Sequence, residues 1–151
     1  MLAARLVRRI EDHAEELTRA VLNDLASNPR TPSYHRFSTK ELHDRVYDVY
    51  HHLGRTLGEE SEAVIQANYN ALGRRRFADG IPLHEVVYAL ILSKYHLRDY
   101  IRASGIVDSA VDLYQEEDLH IRVGRFFDKA IYFTVQGYEE ALHQGPSARR
   151  A

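Results

Sequence analysis

The sequence predicts an all-α protein: a single domain of about five long helices, globin-like or a helical bundle, ending in a long C-terminal helix. Three observations predict it. Apolar residues recur at three- and four-residue steps through most of the chain, which is the helical period. The four prolines, Pro29, Pro32, Pro82 and Pro146, all fall between the periodic stretches, and no run alternates as a strand does. The length of 151 residues, with 44% hydrophobic and 28% charged residues, suits one soluble globular domain.

The first helix spans about Ala3 to Leu25. Leu6, Ile10, Ala14, Leu17, Val21 and Leu25 form its buried stripe, and the segment Ser27–Ser33, with two prolines, ends it. The second begins at Ser38, where Ser38 and Glu41 make a capping-box pattern. Its stripe runs through Leu42, Val46, Leu53 and Leu57, and Gly58 is placed to supply a left-handed C-terminal residue. The third, from about Ser61 to Ala78, carries Val64, Ile65, Tyr69, Leu72 and Phe77. Arg74, Arg75 and Arg76 fall in its last turns, where cations suit the helix dipole. Pro82 opens the fourth helix, which is apolar on most of its circumference and so predicted to be central, and Gly105 ends it.

The fifth starts near Asp108 or Ser109 and meets no breaker before Gly145-Pro146. Its roughly 35 residues would span about 53 Å, against a diameter of about 38 Å for a globule of this size. Either it breaks, near Gln115–Asp118 or Gly124, or it projects and needs a covering partner. The domain is thus expected over 1–143, with a disordered tail over 144–151.

Several functions are excluded by composition. The absence of Cys removes disulfides, thiolate metal sites and cysteine nucleophiles. A net charge of −2 offers no field for nucleic acid or an anionic membrane. No apolar run reaches a membrane span and no signal peptide is visible, so a cytoplasmic location is expected. Nine His and ten Tyr stand out against no Trp and one Met.

Some of those residues stand at spacings that metal and haem chemistry uses. Glu117/His120 and Glu140/His143 have the spacing of di-iron ligands, yet both pairs lie on one helix and cannot converge within a subunit. No metal site is expected from them. His96 or His120 would serve as an axial ligand if haem were bound; the alternative for each is a hydrogen-bonded core histidine. No cofactor is predicted, and no catalytic set or Gly-rich phosphate loop exists to support an enzyme. The Arg74–Arg76 run reads as a solvated helix end with one arginine paired to a carboxylate. On the last helix, Val123, Phe126, Ala130 and Phe133, with Thr134, Gly137 and Ala141, form a heptad-like face rich in small residues. That face fits either a buried core helix or a homodimer interface, and the length of the helix favours the homodimer.

Two segments, Ala71–Leu92 and Tyr114–Tyr132, resemble the N-terminal sensory domain of RsbR/RsbRD-type regulators, the stressosome co-antagonists, within a likeness that runs from the first helix to about Tyr138. The resemblance implies a non-enzymatic signalling input module that dimerises, belongs to a non-haem globin-like group and acts through a regulatory protein or a fused STAS-like output domain. In such a module a ligand or stress would act beside the fourth helix. Tyr88, Tyr95, His96 and Tyr100, with His120 and Phe127, are the pocket candidates, and the last helix would carry the change onward. A haem-binding gas or redox sensor is the alternative.

Overall fold

The computed structural model describes residues 2–58, 60–104 and 107–145, and it is all-α. Seven helices follow one another among these residues: α1 (Leu2–Asp12), α2 (Ala14–Ser27), α3 (Lys40–His51), α4 (Leu53–Gly58), α5 (Glu62–Ala78), α6 (Leu83–Ser104) and α7 (Ala110–His143). A short 3-10 turn at Pro32–Tyr34 links α2 to α3.

Two predicted helices are each split into two. The first kinks at His13, whose backbone (φ −111°, ψ 22°) leaves the helical region while its ring nitrogen Nδ1 sits 2.8 Å from the Arg9 carbonyl. The second kinks at His52 (φ −113°, ψ 30°), with Nδ1 3.3 Å from the Asp48 carbonyl. In each case the ring nitrogen shares the carbonyl four residues back with the histidine's own backbone N–H. The cap of α3 is Thr39, whose hydroxyl accepts from the Leu42 amide at 3.1 Å, one residue beyond the predicted Ser38. Among the described residues only Gly80 (φ 77°) and Gly145 (φ 73°) have a positive φ, so Gly58 does not supply the left-handed residue expected of it. Ser61 and Ser109 cap α5 and α7 by the same hydroxyl-to-amide bond. The end of α6 predicted at Gly105, and the tail from Pro146 onward, lie outside the described residues.

α7 does not break. Its 34 residues run through Gln115–Asp118 and past Gly124 without interruption. Its buried residues begin at Leu119, and upstream Val111 (64%), Leu113 (48%) and Tyr114 (73%) stand exposed. The helix therefore projects.

α5 packs closely against α7: Tyr69 lies on Phe126, Asn70 on Gly137, and Arg74 pairs with Glu140. Two glycines set the separation. A Cβ on Gly73 would fall 2.0 Å from the Thr134 carbonyl oxygen, and one on Gly137 would fall 2.1 Å from that of Asn70. The two backbones touch, which no larger residue at either position permits. α6 crosses the pair with Val86, Leu92, Leu97 and Ile101 buried, and α1 and α2 close the other side with Leu6, Ile10, Leu17 and Val21.

Candidate functional site

A cavity of about 680 Å³ opens between α3, α4, α5, α6 and α7. Its volume falls within the range of small-molecule sites, about 300–1,000 Å³. Each helix supplies a wall by its local sequence. α3 contributes Leu42, Val46 and Val49 from its apolar stripe. α6 contributes Ala89 and Ser93, whose short side chains leave room, and α7 closes the floor with Phe126 and Phe127.

Three tyrosines bring hydroxyls to a lining that combines apolar side chains with charged ones. Tyr50, fully buried, donates to the Ser93 carbonyl at 2.7 Å. Tyr34 lies beside the buried Arg76. Burial pushes its hydroxyl up to about 12, although Arg76 pulls the other way. Tyr69 is 5% exposed, sets its ring edge-on to Phe126 at 5.8 Å, and makes no hydrogen bond among the described residues. Burial raises both the Tyr50 and Tyr69 hydroxyls above the ordinary tyrosine value, so both remain protonated donors at neutral pH.

The charges of the lining are mostly paired. Arg76, 1% exposed, reaches Glu41 Oε1 at 2.7 Å and Asp79 Oδ2 at 3.2 Å, with its guanidinium 5.2 Å over the Phe37 ring. Arg45 binds the other oxygen of Glu41 at 3.1 Å and Asn68 Oδ1 at 3.2 Å. Burial works against the Glu41 charge, but Arg76, Arg45 and Arg75 outweigh it and hold the carboxyl below its ordinary value.

Phe127 is the one pocket candidate on the cavity lining. The other five point elsewhere. The Tyr88 hydroxyl accepts from Arg30 at 3.1 Å, under that guanidinium. Tyr95 is half exposed beneath Lys94. His96 Nε2 sits 2.8 Å from Asp24 Oδ2, which occupies the nitrogen an iron would need. Tyr100 faces the His13 ring at 6.3 Å. His120 buries Nδ1 without a hydrogen-bond partner, and burial, with Arg98 nearby, lowers its proton affinity. The physical reason is one of orientation: the long Tyr and His side chains of α6 reach boundaries and partners, whereas its short residues face the cavity.

The seven interface candidates lie inside the chain. Val123, Phe126, Ala130, Phe133, Thr134, Gly137 and Ala141 are all buried, and α5 occupies the small-residue face at Thr134 and Gly137. The arginine run is also less solvated than its spacing suggested. Arg76 is buried between two carboxylates, Arg74 pairs with Glu140, and only Arg75 is largely exposed, 3.6 Å from Glu41. Sequence reasoning placed Tyr69 in the apolar stripe of the third helix and missed its role. The available signal was a hydroxyl set within an otherwise apolar stripe, among Ile65 and Leu72.

Among the described residues no three His, Asp or Glu side chains gather to hold a metal, and no helix is long and apolar enough to cross a membrane. No curated protein and no solved structure matches the chain. Residues 2–151 match the family described as the RsbT co-antagonist protein rsbRD N-terminal domain. An all-α fold and a match across nearly the full length lead to one conclusion: the chain belongs to this family of stressosome-associated signalling domains.

Proposed function

We propose that the domain is an input module that admits a small ligand to the cavity between α3 and α7 and passes the resulting shift through α7 to a regulatory partner or output domain. One observation carries the reading: the cavity floor and the signalling helix are the same element. Phe126 and Phe127 line the cavity, and one to three turns on, Ala130, Thr134 and Gly137 bind α7 to α5 with no slack between backbones. A ligand that moves the floor therefore moves the whole helix, since packed cores shift between discrete arrangements and do not stretch.

The same reading takes the domain to be a homodimer, formed through the outer stripe of α7 and not its buried seam. Val111, Tyr114, Ile121, Tyr132, Val135 and Leu142 recur there at heptad spacing, all exposed except the half-buried Val135. Asp118, Arg125, Asp128 and Glu139 complete the stripe, and a shallow groove runs along its C-terminal half. Laid antiparallel on a second copy about a point between Arg125 and Asp128, the stripe complements itself. Arg125 meets Asp128 of the second copy, Ile121 meets Tyr132, and Val111 meets Leu142, as a two-fold interface requires.

The test is Ala89→Trp, which fills the cavity from α6. Assayed as the intact signalling protein in a stress-response reporter strain, the variant is expected to hold output at one level whatever the stress. A normal response from the folded variant overturns the reading.

A further inference from the structure

The lining of the cavity specifies what chemistry it accepts. Resting on the input-site reading above, we infer that it takes an uncharged, mostly apolar molecule bearing one hydrogen-bond-accepting oxygen, and that the Tyr69 hydroxyl recognises this oxygen.

Two independent observations meet here. The first is the state of Tyr69. Its side chain is 95% removed from solvent, lines the cavity, and donates to nothing among the described residues. A hydroxyl on the lining that donates to no neighbouring side chain or carbonyl can give its proton to an accepting atom of whatever fills the cavity, for the net gain of one hydrogen bond. Of the lining tyrosines on α3 and α5, Tyr50 already donates its proton to the Ser93 carbonyl, whereas Tyr69 keeps its own for a ligand. Desolvation keeps it protonated, so its partner must supply the lone pair.

The second is the charge balance. The deepest cation, Arg76, is bound by Glu41 and Asp79, Arg45 by Glu41, and Lys40 by Asp44. Over the whole lining, four cations (Lys40, Arg45, Arg55, Arg76) face four carboxylates (Glu41, Asp44, Asp48, Glu60). No unpaired buried charge awaits a counter-ion, and a charged ligand entering among Leu72, Val86 and Phe127 would be desolvated without compensation. An apolar body with a carbonyl, ester or hydroxyl oxygen meets both conditions.

Four matched ten-carbon probes test this by isothermal titration calorimetry with the intact protein: 2-decanone, 1-decanol, decanoate and decylammonium. The ketone and alcohol are expected to bind, with the two ions weaker by about tenfold or more. Tyr69→Phe keeps the ring against Phe126 and should weaken the ketone by about fivefold, the scale of one neutral hydrogen bond. Ala89→Trp should abolish binding of both neutral probes. Tighter binding of an ion, or a ketone affinity unchanged in Tyr69→Phe, overturns the inferred ligand class while leaving the cavity as the input site. Failure of all four probes to bind overturns the ligand class and the cavity reading together.

Discussion

Arg76 carries a full charge at a site 1% exposed, and that is tolerable only because Glu41 and Asp79 satisfy both ends of its guanidinium. Such pairs cost more to break than they contribute when whole. Arg76→Met is therefore expected to destabilise the protein by about 3 kcal/mol, the low end for a broken buried pair because Arg45 still neutralises Glu41. Urea unfolding followed by circular dichroism measures it. Two histidines give stability a pH optimum. Hydrogen bonds to Asp44 and Glu15 raise the proton affinity of His43. Its contribution is complete below the ordinary histidine value of about 6.5 and is lost as pH rises through the higher folded value. His120 has the opposite sign: burial lowers its folded value, so stability falls as pH drops from about 6.5 through that value. The urea midpoint should peak near pH 6.5. His43→Gln should flatten the alkaline side and His120→Gln the acid side; profiles that both match wild type would refute the assignment.

At the scale of elements, the seam between α5 and α7 decides which glycines are structural. Gly73→Ala and Gly137→Ala each drive a methyl into a carbonyl oxygen of the facing helix and are expected to cost on the order of 3 kcal/mol. Gly124→Ala, on the same helix with nothing within 4 Å of the added carbon, should instead stabilise by about 1 kcal/mol through helix propensity. Equal effects in thermal melts would contradict the packing described. The helices themselves were legible in the sequence. Ser61 and Asp79-Gly80 bracket α5 to within a residue, whereas for α7 the sequence left a break near Gln115–Asp118 or Gly124 and a projecting helix both open. The kinks at His13 and His52 were not legible, because neither involves proline or glycine. The heptad face of α7 was legible as buried, but periodicity says that a face is covered and not by what. The cavity was hidden for a related reason. It exists because short residues on α6, Ala89 and Ser93, meet aromatic residues on two other helices, and that geometry depends on registers between elements far apart in the chain.

For the whole molecule, the outer stripe of α7 makes the proposed dimer testable by charge. Arg125→Asp should place like charges opposite one another at the two-fold centre and yield a monomer in sedimentation velocity at micromolar concentration. Arg125→Asp combined with Asp128→Arg should restore the dimer, because the swap regenerates both cross-pairs. A single variant that remains dimeric would place the interface elsewhere. Family membership accounts for the coarse role, and the stripe, the cavity and the seam give that role physical parts.

The continuity of α7 also has a mechanical consequence. On the reading proposed above, the glycine contact at Gly137 would act as a fulcrum, with Ala110 at the far end of the arm, 27 residues or about 40 Å away. A tilt of about 5° at the fulcrum would sweep that tip through about 3.5 Å. A break at Gly124 would have dissipated the motion at the cavity. On the reading proposed above, an unbroken rod would amplify it and carry it to Val111 and Tyr114, exposed in the single chain and seated against the second copy in the dimer.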